Sequence, residues 1–146
     1  MKKRLILPFL VIAGICLGAC KKYEDGPVFS LRSKKERVAN NWKAGLLSRN
    51  NLDELEEFST FELDFSKGGS FEWRVQPAND STVQTLSGNW EFAKVKESIK
   101  LTYAVDSLGT DSVRLLFMDI RRLKEDEMWL EYLWIDDQYF VQLVPR

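Results

Sequence analysis

From Trp42 onward, apolar side chains recur at every second position, a period that only an extended strand gathers onto one face. Phe61, Leu63 and Phe65 form one such face; so do Phe71, Trp73 and Val75, then Gly88, Trp90 and Phe92, then Ile99, Leu101 and Tyr103. The opposite positions carry Glu62, Asp64, Glu72, Arg74, Glu91 and Lys100. The spacing predicts eight strands, roughly Trp42–Leu47, Phe58–Phe65, Ser70–Gln76, Leu86–Ala93, Ile99–Val105, Val113–Leu123, Met128–Trp134 and Gln138–Val144. Short antiparallel strands joined mostly by tight turns imply an all-β fold, an eight-stranded up-and-down antiparallel barrel or a closely related sandwich. Closing the sheet would also protect edges that carry no other obvious defence.

Local signals refine this. Ser33-Lys34-Lys35-Glu36 has the pattern of a capping box, so a short N-terminal helix is expected from Ser33 to about Asn40, with Asn40 and Asn41 able to end it in the left-handed conformation. A three-residue loop Ser66-Lys67-Gly68, with Gly68 at positive φ, sets Leu63 opposite Phe71 and Phe61 opposite Trp73. A tight Asp136-Asp137 turn would pair Trp134 with Tyr139, Tyr132 with Val141 and Leu130 with Leu143.

Composition removes several functions. The 146 residues include no histidine, which deprives the chain of the commonest general acid–base and the commonest metal ligand. Its two cysteines are Cys16 and Cys20, both near the N-terminus. With 21 basic and 22 acidic residues and no basic run interleaved with aromatics, nucleic acid is not expected as a partner. No catalytic residue, cofactor or metal site is expected. Glu62, Asp64 and Glu72 lie near one hairpin, but alternating surface strands produce such neighbours routinely.

The N-terminus resembles a bacterial lipoprotein signal. Lys2, Lys3 and Arg4 form a basic start, and Leu5 to Leu17 is an uncharged stretch too short to span a bilayer, which takes about 20 residues. Leu17-Gly18-Ala19-Cys20 resembles a lipobox. That resemblance implies removal of residues 1–19, lipidation of Cys20 and attachment to a membrane through the N-terminal lipid. Loss of the signal leaves 127 residues with four more acids than bases, and no disulfide within the mature chain. Residues 20–32 read as the lipidated cysteine and a polar tether containing Gly26-Pro27, and residues 33–146 as the barrel domain. Lys21 after Cys20 resembles the sorting rule that favours the outer membrane, and Glu24-Asp25 resembles an acidic signal for the cell surface.

Residues 33–146 resemble the small lipocalin-like lipoproteins of Bacteroidetes. The resemblance lies in Asn41-Trp42-Lys43 after the helix, the hairpin from Phe61 to Phe71, Ser87-Gly88-Asn89-Trp90-Glu91-Phe92, and the ending from Met128-Trp129-Leu130-Glu131-Tyr132 to Leu143-Val144-Pro145. Asn40-Asn41-Trp42 stands where lipocalins carry Gly-x-Trp. The resemblance implies a barrel and an anchor without an assigned activity.

An eight-stranded barrel is just wide enough for side chains to fill it, or for one small ligand. Its expected interior includes Phe61, Phe65, Trp73, Trp90, Phe92, Tyr103, Phe117 and Trp134, rings that favour filling. The last hairpin has a second apolar face, Trp129, Leu133, Phe140 and Val144, to be covered either by the N-terminal helix through Val38 or by a protein partner in the outer membrane. Ser81, Ser107 and Ser112 sit in Asp-Ser-x tripeptides that resemble Bacteroidetes O-glycosylation sites, all in expected loops or at their edges. The leading expectation is therefore an outer-membrane lipoprotein presenting a non-enzymatic barrel as a binding or interaction module. The alternative is a carrier of a small apolar ligand inside the barrel.

Overall fold

Ser33 starts the fold by capping helix α1 (Lys34–Val38): its hydroxyl accepts from the Glu36 backbone N–H at 3.2 Å, and the Glu36 carboxylate accepts from the Ser33 N–H at 2.9 Å. The computed structural model describes residues 31–107 and 110–146, with side chains throughout except at 106, 107, 110 and 111. Five residues cannot hold a helix alone. Tertiary contacts hold this one. Val38 is fully buried, its carbonyl accepts from the Trp42 indole at 2.9 Å, and Arg37 donates to the Leu123 carbonyl at 2.9 Å. The helix ends earlier than expected, with Ala39 as C-cap at φ −71° in place of a left-handed asparagine. Asn41 already belongs to the sheet.

The strands are β1 (Asn41–Arg49), β2 (Leu52–Asp53), β3 (Phe58–Phe65), β4 (Ser70–Pro77), β5 (Gln84–Ala93), β6 (Ser98–Ser107), β7 (Thr110–Leu123), β8 (Met128–Trp134) and β9 (Asp137–Pro145). All pairings are antiparallel. β1 lies beside β3, each later strand pairs with the next, and β9 returns to β1 from Trp42↔Pro145 to Arg49↔Tyr139. Eight strands thus close into an up-and-down barrel. The two-residue β2 hangs from the end of β1 through the turn Asn50-Asn51, both at positive φ, a conformation asparagine tolerates.

Alternating strand direction gives the barrel two poles. One carries α1 and the connections 66–69, 94–97 and 124–127; the other carries 50–57, 78–83 and 135–136. The α1 pole is filled. Val38, Trp42, Leu63, Phe65, Phe71, Trp90, Ile99, Leu101, Met118, Leu123, Met128, Leu130 and Leu143 are all buried in one core cluster. Trp90 stands edge-on to Phe65 and Phe92, with centroids at 5.4 and 5.5 Å, and donates to the Ser66 carbonyl at 2.9 Å. Gly88 permits a close approach on the next strand pair, since a Cβ there would lie 2.1 Å from the Thr102 carbonyl oxygen.

Three expectations need correction. In the β3–β4 hairpin Leu63 faces Trp73 and Phe65 faces Phe71. Ser66 and Ser70 act as the closing pair, joined by Ser66 N–H to Ser70 O at 2.9 Å and by their hydroxyls at 2.7 Å. The loop is consequently Lys67-Gly68-Gly69, and Gly69, not Gly68, takes the positive φ of 95°. A two-residue slip preserves face parity, which is why apolar still meets apolar.

The last hairpin is displaced likewise: Trp134 faces Asp137, Tyr132 faces Tyr139 and Leu130 faces Val141, around the turn Ile135-Asp136. Asn50 explains the shift. Its side chain donates to Asp137 Oδ1 at 2.7 Å and accepts from the Gln138 N–H at 3.0 Å, pinning those residues to the end of β1.

Phe117 points out of the barrel, 46% exposed, while its neighbours Leu116, Met118 and Ile120 point in.

The displaced turn leaves a β-branched residue, Ile135, at φ +60° and 88% exposed. Left-handed backbone strains such a residue by ~1–3 kcal/mol, part of which glycine's greater loss of chain entropy offsets. Ile135→Gly is expected to stabilise the barrel by about 1 kcal/mol. Its thermal midpoint should rise by several degrees; an unchanged or lower midpoint contradicts strain at this turn.

Candidate functional site

At the pole opposite α1, Trp73 of β4 reaches across the barrel to Tyr132 and Trp134 of β8, and space remains beside these rings. It forms an open cavity of about 310 Å³, lined by Phe58 and Phe61 of β3, Trp73 and Val75 of β4, Gln84, Thr85 and Leu86 of β5, Tyr132 and Trp134 of β8, and Tyr139 of β9. Its volume lies at the lower end of ligand sites and equals that of roughly ten waters. These residues are uncharged and mostly aromatic, with a few polar groups among them, the composition that small-molecule sites favour. The filled-interior expectation holds at the α1 pole; at the other, Phe61, Trp73 and Tyr103 are buried as expected and a cavity remains beside them.

The rings brace one another. Trp73 is edge-on to Phe61, Tyr132 and Trp134 at 5.5, 5.7 and 5.7 Å; Tyr132 stacks on Tyr139 at 5.3 Å, and Tyr103 on Trp134 at 6.3 Å. Two polar features stand out in the wall. The Trp73 indole N–H is buried with no hydrogen-bond partner among the described residues. Burial, with a smaller contribution from nearby Tyr139, pushes the Tyr132 phenol far above its ordinary range, so it stays a neutral hydroxyl.

The expected partner face is assembled differently from its description in sequence. Trp129 and Phe140 do meet on the outer surface of β8 and β9, edge to face at 5.9 Å. Polar chemistry dresses that pair: the Trp129 indole donates to Glu127 at 2.6 Å, and the Arg122 guanidinium lies over the ring at 4.6 Å. Val144 packs beside Gly45, while Leu133, 66% exposed, lies further along the same outer face of β8. Helix α1 does not cover this face, because Val38 is directed into the barrel end. Leu133 instead flanks Phe117 across the β7–β8 pair, with Val113 and Leu115 exposed further along β7. This apolar outer patch was not anticipated.

The carboxylates near the first hairpin are held in ion pairs. Arg74 binds Glu62, Asp64 and Glu72 at 2.7 to 3.0 Å, and Arg146 also reaches Glu62 and Asp64. Among the described residues no group of three or more His, Cys, Asp or Glu is placed to hold a metal ion. Ser81 is exposed in the 78–83 connection; Ser112 lies within β7 and donates to the Val105 carbonyl at 3.3 Å. Cys20 and the side chain of Ser107 fall outside the described residues.

No protein-family model and no curated protein matches the chain.

The buried phenol has a consequence for alkaline stability. Its folded-state pKa is raised, so its contribution is complete below the unfolded value of about 10 and is lost as pH rises beyond it, where only the unfolded chain releases the proton. Urea midpoints should fall above pH ~10, and Tyr132→Phe should flatten that fall. Parallel curves for the two proteins would show that the phenol is not held neutral by the fold.

Proposed function

We propose that this chain is an outer-membrane lipoprotein, anchored through Cys20, whose non-enzymatic barrel binds a small apolar ligand at its open pole. The cavity carries the reading: a void in a structure that packs its other half densely, walled by braced aromatic rings and without a charged group among its described lining. Apolar surface left open inside a barrel favours an apolar occupant over water. The anchor rests on the lipobox-like sequence at Leu17 to Cys20. The full-length protein in nanodiscs should take up one equivalent of N-phenylnaphthylamine with saturable quenching of tryptophan emission, and Leu86→Trp, which fills the cavity, should abolish uptake without unfolding the barrel. Cys20→Ala should move the protein from the detergent phase to the aqueous phase. Uptake unaffected by Leu86→Trp contradicts the site, and unchanged partitioning contradicts the anchor.

A second reading, docking of a protein partner in the outer membrane, is favoured by the exposed Leu115, Phe117 and Leu133 on adjacent strands. Under it, Leu133→Glu should abolish cross-linking to that partner in intact cells while leaving probe uptake unaltered. Loss of neither or of both runs against a separate docking face.

A further inference from the structure

We propose that the cavity takes an amphiphile carrying a positive charge, such as an alkylammonium or arylammonium ion, with its apolar part among the aromatic rings and its cation at the mouth. The proposal rests on the cavity being the ligand site and adds a charged end to its apolar occupant.

Its basis is the distribution of charge between the poles. The connections at the open pole, 50–57, 78–83 and 135–136, hold Asp53, Glu54, Glu56, Glu57, Asp80 and Asp136 and no basic residue. At the other pole, α1 and the connections 66–69, 94–97 and 124–127 mix the signs, with seven basic and five acidic residues. Chain connectivity fixes the acids around the mouth. Glu56 and Glu57 lead directly into Phe58, Asp80 lies in the link from Val75 to Gln84, and Asp136 lies between Trp134 and Tyr139. Those five neighbours in sequence all line the cavity. Asp53, Glu56, Glu57, Asp80 and Asp136 are exposed. Of the arginines on the strands of this half, Arg49 is engaged by Glu54 and Asp137, and Arg74 by Glu62, Asp64 and Glu72, which leaves Arg114 of β7, opposite Tyr103.

The acids do not form the site. The cavity between them does, and they set the sign of what approaches it, because a rim of one charge around an apolar pocket concentrates ions of the other. The wall adds a preference of the same sign. Six of its residues are aromatic, and a ring face carries negative charge that draws a cation and repels an anion. A cation held at the mouth also keeps part of its water, so its desolvation stays partial. An anion in that position would meet like charges on the rim and no counter-charge in the wall.

The test uses full-length protein in nanodiscs of zwitterionic lipid, with empty nanodiscs as control. Three hexyl probes compete with N-phenylnaphthylamine: hexyltrimethylammonium, hexanol and hexanesulfonate. At low salt the cation should bind roughly tenfold tighter than the sulfonate and several-fold tighter than the alcohol, and the gap between the two ions should narrow as salt is raised. Glu56→Gln, Glu57→Gln and Asp136→Asn combined should bring the two ions within about threefold of each other and leave hexanol binding unchanged. Should that variant not fold, the salt series on the wild type decides. Sulfonate binding as tight as the cation's, hexanol binding tighter than the cation's, or an ion gap that salt does not narrow overturns the charge preference while the cavity stands as a site. Failure of N-phenylnaphthylamine itself to bind overturns the cavity reading, and this proposal with it.

Discussion

The structure depends on one seam, the pairing of β9 with β1. Until that ladder forms, the first and last strands each present a row of unpaired backbone groups, and the sheet has two faces exposed to water. Once Trp42 lies opposite Pro145 and Arg49 opposite Tyr139, the sheet acquires an inside. The seam joins residues about a hundred positions apart, so it is the costliest contact in chain entropy and rewards the other pairings only after it forms. Arg146 and Asn50 reinforce its two ends. The first reaches Glu62 and Asp64 beside the start of β1, and the second ties the end of β1 to Asp137 and Gln138.

Within this closed sheet the two halves use different packing materials. The half under α1 is filled by a mixture dominated by Leu, Ile, Met and Val around Trp90, side chains whose shapes adjust until voids vanish. The other half is built from Trp73, Tyr132, Trp134 and Tyr139, flat rings that meet edge to face or in stacks.

Much of this was legible in the sequence, at the level that period-two alternation controls. The strands, the antiparallel barrel and the burial of Trp73 and Trp90 follow from it, and the helix from its capping box. The hairpin registers did not, because a shift of two residues keeps every side chain on its face and leaves the decision to turn chemistry. Ser66 with Ser70 settled one turn and distant Asn50 the other. Strand β7 misled because Val113-Arg-Leu-Leu-Phe-Met-Asp-Ile has apolar residues in both phases. The parity of Asp119 and Arg121, which Phe117 shares, was the available signal. The cavity was beyond reach, since alternation lists the interior residues without saying how their volumes add. The one hint was the presence of tyrosines among inward positions, where a core meant only for packing takes leucine or phenylalanine.

The capped helix gives the domain a direction. Because α1 closes one pole, the chain joins the barrel at the end farthest from the cavity, near Lys67, whose ammonium pairs with Glu36. The junction and the mouth therefore sit at opposite ends of one axis.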